Sequence, residues 1–279
     1  MAALSALVAE LAWREGNVEM INQIPATFRV IAWILLVLLA IPLLLIAIMS
    51  FNSIASLSFP PQGLSFRWYE NIFATNTFAV GLGYSAFLAV TSTTISIIVA
   101  TAAAFAFVRY RFVGRSFVNM LLMAPLIIPE VVIGVALLIW FSASWLRLGT
   151  ISLLFLHTIV VLPYAVRIIV ASLQRTDRTL EQAAMLLGAP PWQAVIRVTL
   201  PIISKAIAAA ALFAFVISFQ NFTATLFLIS KTPTLPVAIF DYIRTENDPT
   251  IAALSTLMIV MTFLLVWIIN RVFGFEEIV

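Results

Sequence analysis

The stretch Gln182-Ala183-Ala184-Met185-Leu186-Leu187-Gly188, followed after nine residues by Val198-Thr199-Leu200-Pro201, decides how the rest of the chain is read. It sits in a polar segment, Gln174–Leu200, that carries Arg175, Asp177, Arg178, Glu181, Gln182 and Arg197. That segment is too polar to cross a bilayer, yet long apolar runs flank it on both sides. Its local pattern is helix, turn, helix. Thr176 or Asp177 can cap the first helix, and Leu180, Ala183, Ala184 and Leu187 recur at helical spacing. Gly188 suits a left-handed turn that ends the helix. Pro190 and Pro191 fit the first turn of a second short helix, where a missing N–H costs nothing. Trp192, Val195 and Ile196 give that helix an apolar face, and Pro201 marks entry into the next apolar run. The small residues Ala183, Ala184 and Gly188 allow another element to approach the backbone closely. Pattern alone leaves two uses open: a rigid lever that docks onto a soluble partner, or an amphipathic connector folded back on its own bundle.

The rest of the chain says which solvent surrounds this element. Of 279 residues, 63% are hydrophobic and 10% charged, with a mean hydropathy of +1.12. A soluble domain is about half apolar and about a quarter charged, so much of this surface needs lipid as its solvent. The net charge of +3 is small and dispersed, which gives no nucleic-acid-binding patch. With no cysteine, disulfides, thiol catalysis and thiolate metal sites are excluded. No cleavable signal peptide is expected, because the first strongly apolar run starts near Arg29 and is too long and too late.

Six apolar runs are long enough to span a bilayer: Val30–Met49, Phe78–Val108, Phe117–Phe141, Ile151–Leu173, Ile202–Ile229 and Ile251–Phe273. All must be helical, since an open strand edge in lipid leaves backbone groups unpaired. The expected fold is therefore an all-α membrane protein with six transmembrane helices. With both termini in the cytoplasm, ten Lys and Arg fall inside and four outside, with Arg167 in the fourth span. The positive-inside rule favours that orientation. The short loop Arg109-Tyr110-Arg111-Phe112-Val113-Gly114-Arg115 contributes most to it.

The connecting segments add detail. Asn52–Thr77, with Pro60-Pro61, Gly63 and Trp68-Tyr69, is expected to be ordered at the outer interface, the layer that aromatic rings prefer. Lys231–Pro249 is polar and is either a docking surface for a soluble partner outside or a solvated connector. Ala2–Glu19 can form a short amphipathic helix on the membrane, although Gly16 and Asn17 break it early.

With these residues in hand, the segment from Gln182 to Pro201 resembles the E-A-A-x3-G-x9-I-x-L-P coupling loop of binding-protein-dependent ABC importer permeases. Gln182 stands where that family usually has Glu, and Val198 where Ile is common. Glu181, next to Gln182, projects about 100° away around the helix. From Arg29 to Phe273 the chain is similar to the C-type subunit of spermidine/putrescine permeases. Matching pieces include Ser50-Phe51-Asn52-Ser53, Tyr110-Arg111-Phe112-Val113-Gly114, Leu153-Leu154-Phe155-x-His157-x5-Pro163, Leu235-Pro236-x-Ala238-Ile239 and Asp248-Pro249-x3-Ala253-Leu254.

The resemblance implies a type I importer permease with a MetI-like fold in the bacterial inner membrane. Residues 1–28 would be a cytoplasmic N-terminal segment, 29–273 the permease domain with its coupling loop at 174–201, and 274–279 a cytoplasmic tail. The partners it implies are a second, homologous permease chain, two ATPase subunits, an extracytoplasmic solute-binding protein and membrane lipid. ATP-driven closure of the ATPases would draw two coupling loops together and open the channel outward; hydrolysis would reset it. Glu181, Gln182, Ala183, Ala184, Gly188, Val198 and Pro201 would carry that coupling. The chain has no G-x4-G-K-[ST] phosphate loop, so ATP and Mg2+ would bind the partner subunits, and no cofactor or metal is expected on this chain.

Ionisable and polar groups inside the spans mark the expected solute path, because a charge at mid-bilayer costs at least about 2.5 kcal/mol. Glu130 follows Pro129 in the third span, and the Pro125–Pro129 pair should bend or unwind that helix. Glu130 can face the path and meet a cation, or bond a neighbouring helix. Gln220 and Asn221, in the cluster Ser218-Phe219-Gln220-Asn221-Phe222-Thr223, either glue helices together or line a pore. Polyamine permeases tend to carry one or two Asp at those two positions, and an amide offers no countercharge. Phe219, Phe222, Trp140 and Tyr164 can stack on a cation or simply pack. His157, the single histidine, reads as a hydrogen-bonded packing residue and Arg167 as structural. One histidine also argues against a zinc site, which takes about four ligands. A secondary transporter would show inverted repeats and several buried acids, neither of which is visible here. A scaffold would leave Glu130 unexplained, and an enzyme lacks a nucleophile–base pair. The function expected is half of the channel of an ATP-driven importer for a small cationic solute such as spermidine or putrescine. An opine, aminophosphonate or amino-acid-like solute is the alternative.

Overall fold

A computed structural model of the chain describes residues 26–144, 148–229, 231–246 and 248–273. The expectations for Ala2–Glu19, Arg14, Arg147 and the tail 274–279 lie outside these residues. The described residues form helices; their one β-type pairing is an isolated bridge between Asn52 and Leu64.

In chain order the helices are α1 (Ala26–Met49), α2 (Arg67–Ala74), α3 (Asn76–Arg109), α4 (Arg115–Ile127), α5 (Glu130–Ala143) and α6 (Thr150–Arg175). Then come α7 (Thr179–Leu186), α8 (Pro191–Ile202), α9 (Ser204–Phe219), α10 (Thr225–Leu228), α11 (Leu235–Thr245) and α12 (Thr250–Phe273). Four helices, α1, α3, α6 and α12, are long and apolar enough to cross a membrane by themselves. The third expected span is a bent pair, α4 and α5, which meet at 109°. The fifth, Ile202–Ile229, holds α9 and α10, and α8 joins α9 at a 68° bend; the described residues give up to six spans if each bent pair counts as one.

The break in the third span has a local cause. Ile128 is extended, with φ −78° and ψ 127°. The ring of Pro129 disfavours helical backbone in the residue before it. Pro125, in contrast, lies inside α4 without ending it. The fifth apolar run is interrupted as well. α9 stops at Phe219, and the backbone stays irregular until α10 starts at Thr225.

The centre of the molecule is the bundle of α3, α6 and α9. Ala89, Ser92, Ser96, Ala100 and Ala104 form a buried stripe on α3, faced by Ala210, Ala214 and Ser218 of α9. Lipid tails are as apolar as side chains, so helices in a membrane associate through close contact, which small residues permit. At about 1.5 Å per residue, the 34 residues of α3 reach well past a hydrocarbon core of about 30 Å. That length brings Arg109 out to the polar segment 174–201. α1 packs mainly on α12, and its flank bearing Trp33, Leu36 and Leu39 is open to lipid.

The loop after α1 is ordered by side-chain bonds. Trp68 Nε1 donates to the Asn52 carbonyl at 2.6 Å, Ser50 Oγ lies 2.7 Å from the Tyr69 hydroxyl, and the Asn52 side chain is fully buried. The loop 231–249 is not a bare connector. α11 buries Leu235, Val237 and Ala238, and the Leu235 backbone approaches so closely that a Cβ at Gly81 of α3 would stand 3.3 Å from it.

Candidate functional site

Segment 174–201 folds as its residue types dictate. The Asp177 carboxylate accepts the Thr179 N–H at 2.9 Å and so caps α7. That bond holds the Asp177 carboxyl below its ordinary range. At the other end Ala189 N–H reaches the Ala184 carbonyl at 3.1 Å, and Gly188 N–H reaches that of Met185 at 3.0 Å. This is a Schellman turn, and it needs the left-handed backbone that Gly188 supplies at φ 93°. Pro191 opens α8. The π turn Val195–Thr199 follows, with Leu200 N–H bonded to the Val195 carbonyl. A proline ring clashes with the carbonyl four residues before it. The widened turn lets Pro201 follow Arg197 without that clash.

Glu181 points inward. It is buried, and Oε1 accepts both Arg109 Nη2 at 2.8 Å and Thr199 Oγ1 at 2.6 Å. One carboxylate therefore joins the end of α3, helix α7 and the π turn. The opposite face is bare. Gln182 and Ala183 are exposed, and beside them Leu186 is 88%, Leu187 90% and Trp192 62% exposed. Ala184 and Val198 are half-buried, while Gly188 and Pro201 are exposed. Large apolar side chains gathered on a polar segment mark an interaction surface.

The residues expected along the solute path fall into separate places. Asn221, 6% exposed, donates from Nδ2 to Glu130 Oε2 at 3.1 Å. Glu130 stands in the first turn of α5, half-buried. Gln220 turns the other way, is exposed, and donates to Thr262 Oγ1 of α12 at 3.1 Å. Phe219 is buried in a core with Trp68, Phe78 and Leu254 and stacks on Phe215 at 5.7 Å. Phe222 packs on Phe240 of α11 at 4.9 Å, and Trp140 packs on Phe155. Of Glu130, Phe219, Gln220, Asn221 and Phe222, the structure joins only Glu130 and Asn221 by a hydrogen bond.

Sequence reasoning missed two partnerships. His157 does pack with hydrogen bonds, but it also joins two segments: its Nδ1 lies 2.7 Å from Ser218 Oγ and its Nε2 3.1 Å from Thr225 Oγ1. Gly134 of α5 lets α10 approach, because a Cβ there would meet the Ala224 carbonyl oxygen at 2.9 Å. A glycine inside an apolar helical run was the available signal for the second. Among the described residues, no group of three or more His, Asp or Glu could hold a metal ion.

Residues 92–275 match the family described as "Binding-protein-dependent transport system inner membrane component". The chain is 33% identical to the putrescine transport system permease protein PotI of Escherichia coli (strain K12) over 226 residues, 78% of this chain and 80% of that protein. It is 28% identical to the spermidine/putrescine transport system permease protein PotC of the same organism over 229 residues, 82% of this chain and 86% of that one. Among solved structures, a chain of a bacterial alginate ABC transporter in complex with an alginate pentasaccharide-bound periplasmic protein superposes with a TM-score of 0.68. It is 16% identical and the match covers 93% of this chain and 96% of that one, so it establishes the fold. This chain belongs to the binding-protein-dependent transport system inner membrane components, as a permease component of an ABC importer of the PotC and PotI type.

Proposed function

We propose that the chain forms half of the channel of a polyamine importer, with segment 174–201 as the prong by which a separate ATPase moves it. The substrate class is supported by the printed functions of the relatives, spermidine and putrescine transport. The observation that carries it on this chain is Glu130, a carboxylate set at a broken span and held by Asn221. A polyamine in transit needs such a countercharge. In this reading both termini are cytoplasmic, 1–28 and 274–279 flank a permease domain at 29–273, and the exposed Leu186, Leu187 and Trp192 meet the ATPase. ATP and Mg2+ bind that partner, a second permease completes the channel, and a binding protein delivers solute from outside.

Gln220 and Asn221 favour a second reading, in which the solute carries less positive charge, as an opine, aminophosphonate or amino-acid-like molecule does. Two amides stand where polyamine permeases tend to have acids, which leaves Glu130 as the acid of the group. Reconstitution with the ATPase, second permease and binding protein from the neighbouring genes decides between them. ATP-dependent uptake of labelled spermidine or putrescine supports the first reading. Uptake of another solute with polyamines ignored supports the second. Uptake without ATP would sink both.

A further inference from the structure

We propose that His157 is a positioning residue: held as the Nε2–H tautomer between Ser218 and Thr225, it fixes the Asn221 amide and through it aims the Glu130 carboxylate. Its bearing on transport rests on Glu130 lining the solute path; its bearing on geometry does not.

The bond directions from His157 to Glu130 follow from one backbone donor, and a neutral ring then sets those of Ser218 and Ser92. Thr225 N–H lies 3.3 Å from Asn221 Oδ1. A backbone N–H can only donate, so the oxygen, and not the NH2, of the Asn221 side chain faces Thr225. That orientation turns Nδ2 toward Glu130 Oε2, where a flipped amide would set oxygen against oxygen. Asn221 Oδ1 also lies 2.9 Å from Thr225 Oγ1. An amide oxygen accepts only, so the Thr225 hydroxyl spends its proton there. The same hydroxyl lies 3.1 Å from His157 Nε2. With its own proton committed, it accepts, and Nε2 must carry the hydrogen. In a neutral ring Nδ1 is then the acceptor. It takes the Ser218 hydroxyl proton at 2.7 Å; Ser218 is then the acceptor toward Ser92 at 3.0 Å, and the Ser92 proton is shared with the Ala89 carbonyl at 3.3 Å.

The result is one relay, Ser92 to Ser218 to His157 to Thr225 to Asn221 to Glu130, with all donors pointing the same way. Ser92 belongs to α3, Ser218 to α9, His157 to α6, Thr225 to α10 and Glu130 to α5; Asn221 lies in the break between α9 and α10. Asn221, Thr225, His157, Ser218 and Ser92 are all buried, where an unmade hydrogen bond is costly. Reversing any one bond forces its neighbours to reverse, and the Thr225 backbone N–H, which donates to Asn221 Oδ1, cannot. The relay spans the irregular stretch between Phe219 and Thr225, alongside the backbone bonds of Gln220 N–H to Val216, Asn221 N–H to Ser218 and Leu226 N–H to Phe222.

His157 is the single histidine of the chain, so nitrogen-15 ring labelling of the full chain in lipid nanodiscs, purified without a histidine tag, reports on this residue alone. The expected spectrum shows a hydrogen-bearing Nε2 and a bare Nδ1. A ring protonated at Nδ1, or at both nitrogens, would overturn the proposal. Thr225→Val should shift the Nε2 signal. In the assembled importer, His157→Leu should slow uptake about tenfold, the effect of losing one hydrogen bond in a charged network. His157→Gln, whose amide N–H can take the place of Nε2–H, should restore uptake to within about threefold. Equal loss of assembled importer in both variants would mean a structural role and overturn the proposal. In a Glu130→Gln background, His157→Leu should add no further loss. Normal uptake by Glu130→Gln itself, beside an Nε2–H ring, would overturn the path assigned to Glu130 and leave the aiming role of His157 standing.

Discussion

Arg109 and Glu181, 72 positions apart, form an ion pair of 2.8 Å, with each side chain 10% exposed. One is the last residue of a bundle helix and the other lies in the first turn of α7. In the proposed function a flexible loop would follow its partner without moving the bundle, whereas a loop pinned by a buried pair would carry α3 with it.

Removing one member of this pair should harm the chain more than removing both. A lone buried charge left behind costs about 3–5 kcal/mol, whereas an apolar replacement of both partners is often tolerated. Arg109→Met should lower the melting temperature of the purified chain sharply. Arg109→Met with Glu181→Leu should recover much of that loss, and a strictly additive double variant would show that the two do not interact. Thr199→Val, which removes the second bond to the same oxygen, should cost about 1.5–3 kcal/mol.

Gly188 separates backbone demand from partner demand. Its φ of 93° is left-handed, and a Cβ there would meet nothing within 4 Å. Within the chain, a substitution therefore costs only conformational strain, about 1–2 kcal/mol and least for Asn. Gly188→Asn should support near-normal uptake. Gly188→Trp should insert and fold, yet lose ATPase co-purification and uptake. Normal coupling in the Trp variant would mean that nothing docks over this turn.

Gly134 makes the converse case. Here the added Cβ would meet the Ala224 carbonyl oxygen at 2.9 Å and Phe227 at 3.0 Å. Gly134→Ala should destabilise by about 1–3 kcal/mol through overpacking and lower uptake by shifting α10. Gly83→Ala is the control, since a Cβ there meets nothing within 4 Å. It should leave uptake unchanged and leave the melting temperature equal or slightly raised, since Ala in a helix interior is favoured over Gly by about 0.5–1 kcal/mol. Equal effects from the two would remove the close approach of α5 and α10 as the cause.

These contrasts also show which features a sequence exposes. The turn at Gly188, the Asp177 cap and the Pro191 start of α8 are set by residues within a few positions of one another, so local chemistry predicts them. The break at Ile128-Pro129 was legible for the same reason. Glu181 stands among the expected coupling residues as the neighbour of Gln182, where the motif begins, and its inward aim depends on Arg109, far away in sequence. α11 was readable in principle, because Leu235, Ala238, Ile239 and Tyr242 repeat at helical spacing. The polar residues of that loop masked the signal. Nor could the sequence separate Gln220 from Asn221. Adjacent residues at a helix end point apart, and only the break after Phe219 sets which one turns inward.

That divergence gives the sharpest test of the solute path. Asn221 is buried and bonded to Glu130, while Gln220 is exposed and bonded to Thr262 of α12. If solute passes Glu130, Asn221→Ala frees the carboxylate from its fixed donor and should change the rate or the preference between putrescine and spermidine. Gln220→Ala removes only an exposed hydrogen bond, worth about 1 kcal/mol at most, and should leave preference intact. Glu130→Gln should slow uptake of a dication more than either. Preference measured by competition between the two labelled solutes, at matched amounts of assembled importer, separates the three variants. A change of preference in Gln220→Ala with none in Asn221→Ala would put the path on the α12 side, against Thr262 and away from Glu130.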